Sequence, residues 1–520
     1  MVQKRTPCDP NSPATLEIGP VDWQIVQQDG TQAARITLGG RWWTIFRRKR
    51  PEVRVRVARE GNLAAVSRAL DWAVAQTAVD RSARGEWAGR RGTWRIAIDL
   101  PCGGPYRVET CVGSAEDAVE WRRRGDTVRF LGVGDVWLIA GQSNAEGNGR
   151  DPVDDPPEIG VHMFGPRRCW ELAAHGASHS PWLAFAKTLR KELGYPIGLI
   201  PTAVGGSPVS RWDPGTKGDL FEAMRTRLEE SGGGIRGCLW YQGESDVGAD
   251  AYPKYKTRFA RFARGLRRAA KRPRLPILTV QLNRVLGPRT DGAGWEAMRE
   301  IQRQLSHAMD AVFLIPIFEA GLCDGIHISS QGNLLLARRA ATVALGAVYG
   351  RDLEYRFPEC VSARRVSAQT VDLRFDHVVE RLDYEWAVGN AFPFSVRDRL
   401  GEVPIAGFQI LRRNVFRLRL GRELAGAATV TGAPGTCPAP MLPRDIHGYR
   451  CMLGFTMEVA AVPGTALPPG SRGARGMAHS STPAATPRDM RNGRATQSAA
   501  AELPRRGFDP SRGLQSAAPL

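Results

Sequence analysis

From about residue 130 to 349 the chain keeps a rhythm that leaves few folds open. The apolar runs DVWLIA, PIGLIPTAV, RGCLWY, PILTVQL and AVFLIPI alternate with helix-length amphipathic stretches: PWLAFAKTLRKELG, DLFEAMRTRLEE, YPKYKTRFARFARGLRRAAK, WEAMREIQRQLSHAM and GNLLLARRAATVALGAVYG. A parallel neighbour can be reached only through a long crossover, so strands spaced by helices of this length predict βαβ units. Five such strands predict one three-layer α/β domain over residues 129–350, with helices on both faces of a parallel sheet.

The flanks read differently. Residues 13–128 hold short alternating runs, among them ARITLGG, PEVRVRV and TWRIAIDL, which predict a β-sandwich-like domain. Residues 355–462 return to strand rhythm (TVDLRF, VPIAGFQIL, VFRLRL, AATVTG, CMLGFTMEV) and predict a second all-β module. Residues 464–520 are rich in Pro, Gly, Ser, Ala and Arg, with Phe508 their single aromatic. Such a segment buries too little to offset its ordering entropy, so disorder is expected there. A chain of 520 residues is in any case too long for one core.

Several function classes fall away on composition. The formal charge is +19, but only 8 of the 72 basic residues are Lys and the Arg residues are spread through every segment. No cationic stripe of the kind that rewards counterion release is visible, so a nucleic-acid partner is not expected. Neither GxxxxGK nor a post-strand GxGxxG occurs, and no apolar run is long enough to span a bilayer. The nine cysteines show no CxxC spacing; Cys437 and Cys451 would pair only in an oxidising compartment, and reduced thiols are expected. The start, MVQKRTPCDPNSPATLEIGP, has no apolar h-region, which points to the cytoplasm unless the true start lies upstream.

Four short motifs each follow an apolar strand: Gly141-Gln142-Ser143-Asn144, Gly205-Gly206-Ser207, Gln242-Gly243-Glu244 and Asp324-Gly325-Ile326-His327. In an open parallel sheet all carboxyl ends lie on one edge, so residues far apart in sequence meet there. Ser143 alone reads equally well as a helix cap. Asp324 and His327 change the balance, because three-residue spacing before a helix capped by Ser329 or Ser330 lets the carboxylate accept the Nδ1 proton while Nε2 faces a hydroxyl. A Gly-Gly turn bares backbone N–H groups for a developing oxyanion, the Ser143 amide at a helix N-terminus adds one more, and Gln242 offers a side-chain amide. His162, His175 and His179 read as residues of the loop after the nucleophile; with no HExxH and no nearby carboxylate set, no metal is expected. Arg211 and Trp212 are candidates for substrate contact, with a packed Trp the alternative, and Glu244 reads as a loop brace or a substrate contact.

The strings VGDVWLIAGQSNAEG, IGLIPTAVGGSPVSRW, GCLWYQGESD and DGIHISSQGNLLLARR, in this order, resemble the sialate O-acetylesterase family and the related carbohydrate esterase family 6, within the SGNH hydrolase superfamily. PYRVET is similar to that family's N-terminal β domain, and PFSVRD, GEVPIAGF and CMLGFTMEV to its C-terminal β region, so the resemblance spans residues 13–462. It implies a flavodoxin-like SGNH hydrolase domain with Ser143 as nucleophile, His327 as base and Asp324 as its partner. The oxyanion hole would be built from Ser143, Gly205 or Gly206, and Gln242, which stands where the wider superfamily carries Asn. It implies hydrolysis of acetyl esters on carbohydrate hydroxyls without a metal or organic cofactor. A carbohydrate-binding protein that has lost turnover and an esterase acting on apolar acyl groups are the alternatives.

Overall fold

A computed structural model describes residues 11–45, 51–60, 70–118, 122–287, 292–385 and 391–461. The segment expected to be disordered, 464–520, lies outside the described residues, as does Cys8.

The N-terminal strands are β1 (Ile25–Gln27), β2 (Ala33–Trp43), β3 (Pro51–Arg59), β4 (Leu70–Val74), β5 (Gln76–Val79), β6 (Arg91–Pro101), β7 (Gly103–Ser114) and β8 (Arg123–Gly141). Strands β5, β6 and β2 form one antiparallel sheet, and β4, β3, β7 and the first half of β8 form another. Alternation along each strand turns Ile36, Leu38, Val53, Val55, Trp94 and Val108 into a shared core.

Strand β8 then runs without a break across residue 128. Its first half pairs antiparallel with β7, and its second half pairs parallel with α/β-layer strands on either side.

The α/β layers follow in the order α1 (Ser143–Glu146), β9 (Val161–Phe164), β10 (Trp170–Leu172), α2 (Pro181–Leu193), β11 (Ile197–Pro201), α3 (Val209–Trp212), α4 (Asp219–Glu230), β12 (Gly237–Tyr241), α5 (Tyr252–Ala269), β13 (Ile277–Val280), α6 (Gly292–Ala308), β14 (Val312–Ile315) and α7 (Ser330–Val343). The sheet order is β10-β9-β11-β8-β12-β13-β14. Within it β11-β8-β12-β13-β14 is the doubly wound 2-1-3-4-5 arrangement, whose ligand edge is the crevice beside the first strand. The expected three-layer, flavodoxin-like arrangement with a parallel sheet therefore stands. The sequence reading lacked the edge pair β9 and β10, because runs of four and three residues give too little periodicity.

Local signals explain the helix boundaries. Pro181 begins α2 behind Ser180, whose Oγ accepts from the Trp182 amide, and Gly194 ends it in the left-handed region at φ 77°. Ser329, rather than Ser330, caps α7, accepting from the Gly332 amide at 3.1 Å. One face of the sheet packs on α2 and α7, and the other on α4, α5 and α6.

Beyond α7, strands from Glu359–Ser367 to Phe455–Ala460 build an eight-stranded sheet around Phe375, Phe394, Phe416 and Phe455. It is tied to the α/β layers by Arg299 of α6, which is 1% exposed. Its guanidinium donates to the carbonyls of Leu282, Asn283, Ala433 and Gly435. Among the described residues no helix is long and apolar enough to cross a membrane.

Candidate active site

The carboxyl edge of β8 delivers Ser143. Gly141 turns the chain at φ 125°, where a methyl group would sit 2.1 Å from the Tyr241 carbonyl, so only glycine fits between β8 and β12. Gln142 follows in extended conformation, and Ser143 opens α1 half-buried, its amide at the helix start free of any partner among the described residues.

The neighbouring loop, after β11, is tied to the same turn. The Val204 amide donates to Gly141 O at 3.0 Å, and Ser207 Oγ donates to Val204 O at 2.7 Å while accepting from Trp212 Nε1 at 3.0 Å. This brings Gly205 against the serine: a methyl there would lie 3.8 Å from Ser143 Cβ and 3.2 Å from Glu146 Oε2. Gly206 adopts φ 64°, open to solvent. The Gly205 and Gly206 amides likewise have no acceptor among the described residues.

Across the edge, Asp324 Oδ2 accepts from His327 Nδ1 at 2.8 Å, while Oδ1 accepts the amides of Ile326 and His327 at 2.9 and 2.8 Å. Partial burial works to raise the Asp324 pKa, but the hydrogen bonds from the His327 ring, the His327 amide and the Ile326 amide outweigh it and hold the pKa down to about 2. The carboxylate stays ionised and fixes the ring with Nε2 free to face a hydroxyl. Ser143 Oγ itself makes no hydrogen bond among the described residues. A catalytic contact of this kind commonly tightens only when substrate binds.

What brings the serine and the histidine together is Asn144, to which sequence reasoning assigned no part. Buried at 2% exposure, it donates from Nδ2 to Glu244 Oε1 at 2.8 Å and to Ile326 O at 3.4 Å, and accepts the Ile328 amide at Oδ1 at 3.1 Å. The residue after the serine thus holds the peptide groups on both sides of His327. The signal was the Asn of GQSN itself, a buried amide placed where a strand ends. Asp151 adds a second tie from the same loop, accepting the Ser330 and Gln331 amides at the start of α7.

Several expected contacts are corrected. Gln242 is fully buried, and its amide nitrogen donates to Asp246 Oδ2 at 2.6 Å, Gln142 Oε1 at 3.1 Å and Ser207 O at 3.2 Å. Two hydrogens shared among three acceptors leave none for an oxyanion, so Gln242 props the Gly205 loop instead. Trp212 is likewise fully buried, packed edge to face on Trp240 at 5.5 Å, and touches no substrate space. Arg211 spends its guanidinium on Asp219, at 3.0 and 2.6 Å. Glu244 braces Asn144; burial raises its pKa, against the Asn144 hydrogen bond that lowers it.

The histidines also divide. His162 is not on a loop but in β9, fully buried, with Nδ1 2.6 Å from Trp23 O. His175 and His179 meet Asp155, a carboxylate that sequence distance had hidden. His175 Nδ1 accepts the Ser180 amide at 3.2 Å, so in the neutral ring Nε2 carries the proton toward Asp155 Oδ2 at 2.8 Å. Lys187 sits 2.6 Å from the other Asp155 oxygen. Asp155, His175 and His179 place potential ligand atoms within 4.8 Å of one another, with Lys187 already paired to the same carboxylate.

Beside the serine helix opens a cleft of about 770 Å³, lined by Glu146, Asn148, His175, Thr202, Leu220 and Met224 among others. It adjoins the end of β11 and is of a size suited to a small ligand.

Residues 133–346 match the family model described as carbohydrate esterase, sialic acid-specific acetylesterase. A probable carbohydrate esterase of Arabidopsis thaliana is 28% identical over 248 residues, covering 40% of this chain and 90% of that protein. Human sialate O-acetylesterase is 25% identical over 210 residues, covering 30% of this chain and 39% of its own length. In fold the chain is similar to a carbohydrate acetylesterase from Xanthomonas citri, with a TM-score of 0.60 at 21% identity, over 84% of this chain and 98% of that one.

Proposed function

We infer, from the premise that this chain belongs through residues 133–346 to the carbohydrate esterase, sialic acid-specific acetylesterase family, that it hydrolyses O-acetyl esters on carbohydrates by way of an acyl-Ser143 intermediate. The observation that carries the reading is the Asn144 bridge, which joins the Ser143 turn to the Asp324–His327 loop. In this reading His327 Nε2 takes the Ser143 proton as Oγ attacks the acetyl carbonyl and gives it to the leaving sugar oxygen; it then deprotonates a water that attacks the acyl-serine, and returns that proton to Oγ as acetate leaves. Asp324, ionised across the working range, keeps the required tautomer and supports the imidazolium. The oxyanion rests on the amides of Ser143 and of Gly205 or Gly206, aided by the positive end of α1.

The test is acetate release from a panel of O-acetylated sialic acids and acetylated xylan oligomers, with Ser143→Ala as control. No release from any member, with a folded protein, overturns the reading. One observation favours a second reading, an esterase for larger apolar acyl groups: the cleft beside α1 is lined by Met163, Leu199, Leu220 and Met224. A series of chromogenic esters from acetyl to octanoyl decides, since an acetylesterase loses rate with chain length.

A further inference from the structure

We propose that the N-terminal β layers carry a second saccharide site, a groove between Trp43 and Trp87 that binds a chain bearing carboxylated sugars. The inference rests on the carbohydrate reading above but uses none of its residues.

The argument starts with strand alternation. At the end of β2, Trp42 turns into the core at 1% exposure, so Trp43 must face outward. Its indole is pinned there by Nε1 donating to Ser12 O at 3.0 Å. The loop between β5 and β6 brings Trp87, 36% exposed, edge to face against it at 5.9 Å and 84°. Ile45 and Val79 lie open in the same region at 56% and 47%. Apolar surface gathered in one place without contributing to a core is a feature of ligand sites. The groove holds about 910 Å³, and Arg41, Asp80, Arg91 and Arg123 line it with the two tryptophans.

The side-chain chemistry selects the ligand. Pyranose rings offer an apolar C–H face to indoles and a rim of hydroxyls to planar carboxylates and guanidiniums. Arg41 is paired with Glu17, and Arg91 with Asp80 at 3.0 Å; both guanidiniums are exposed, where such pairs contribute little. Arg123 has no carboxylate partner among the described residues. Its guanidinium lies over the Trp43 ring at 4.1 Å, and that of Arg90 lies over Trp87 at 5.9 Å. A guanidinium held over an indole still has N–H groups to donate to a carboxylate. Arg123 is therefore a lining cation without a carboxylate among the described residues, which favours acidic over neutral sugars.

Position explains what such a site does. Arg123 begins β8 and Gly141 ends it, two residues before Ser143, so the groove and the serine are separated by up to about 60 Å of extended strand. One short substrate cannot fill both. The groove therefore tethers long or multivalent chains and raises the local concentration of ester at the catalytic edge.

The full chain carrying Ser143→Ala is titrated with oligomers of sialic acid and, separately, with xylohexaose, read by calorimetry and indole fluorescence. The expected result is saturable binding of the acidic oligomer, weaker binding of xylohexaose, and a loss of about tenfold on adding Trp87→Ala or Arg123→Gln. Unfolding curves of each variant verify the fold. With Ser143 intact, both variants keep wild-type kinetics on a chromogenic acetyl ester and raise KM on an O-acetylated polymer. Absence of binding, equal binding of the neutral oligomer, or binding indifferent to both substitutions overturns the proposal. Loss of acetate release with saccharide binding retained would instead count against the esterase reading alone.

Discussion

Asn144 Oδ1 accepts the Ile328 amide at 3.1 Å, so the residue directly after the proposed nucleophile grips the residue directly after the proposed base. Its Nδ2 binds Glu244 and Ile326 O in the same motion. Asn144→Ala leaves a buried amide and a buried carboxylate oxygen without partners, at a cost of about 1–3 kcal/mol in stability. Because the serine and histidine loops lose their common tie, kcat is expected to fall by about 10²-fold or more, as a misplacement of 1 Å in a catalytic group does. Denaturant unfolding and steady-state kinetics check the two separately.

Ser143→Ala is expected to abolish turnover with the fold intact, at a cost of about 10⁴ to 10⁶ in kcat. Retention of more than about a tenth of the rate would remove Ser143 from the role.

Asp324 gives a pH signature. Its folded pKa of about 2 lies below the ordinary carboxylate value of 3.8, so the ionised form contributes stability that is complete above roughly pH 4 and is lost as pH falls through about 2. Asp324→Asn should therefore be less stable than wild type at pH 7, with the gap narrowing toward pH 2–3. The same substitution favours the wrong His327 tautomer and withdraws support from the imidazolium, costing about 10⁴ in kcat and moving the acidic limb of the kcat profile to lower pH. A variant whose profile stays in place would dissociate Asp324 from His327 function.

The fold was legible because the helices of the α/β layers carry their own period and caps: DLFEAMRTRLEE is α4 residue for residue. The four motifs were legible because strand ends in a parallel sheet share an edge. Side-chain commitments were not. Gln242 looks like a free amide donor until Asp246, four residues on, is seen to take it. Trp212 and Arg211 stand after a flexible-looking Gly-Gly turn, yet Ser207, Trp240 and Asp219 claim them from both sides. The Asp155–His175–His179 group spans 25 residues with a strand pair between, and spacing arguments reach only neighbours on one element.

Gln242 separates a prop from an oxyanion donor. If the Ser143 and Gly205 or Gly206 amides hold the oxyanion, Gln242→Ala acts mainly by removing one of the hydrogen bonds to the buried Asp246 carboxylate, which keeps the Val209 amide at 2.7 Å, with a stability loss of about 1–3 kcal/mol. Gln242→Glu sets a second carboxylate 2.6 Å from Asp246 and should be worse still. A fall of 10² to 10³ in kcat with unchanged stability would restore the oxyanion role.

The last prediction concerns the C-terminal β module, which reaches the Asp324–His327 loop through Arg299 and the loop after β13. The carbonyls of Ala433 and Gly435 on that module and of Leu282 and Asn283 on the loop after β13 share its guanidinium. The same loop continues to Leu286, whose amide donates to Gly325 O at 2.7 Å, between Asp324 and His327. Arg299→Lys keeps the charge but replaces a five-donor fork by three donors on a point charge, leaving buried carbonyls unpaired. A loss of about 1–3 kcal/mol is expected, together with a fall in kcat larger than any rise in KM, because the defect reaches the base rather than the substrate pocket. A stability loss with kcat unchanged would show that the module braces the fold without positioning His327.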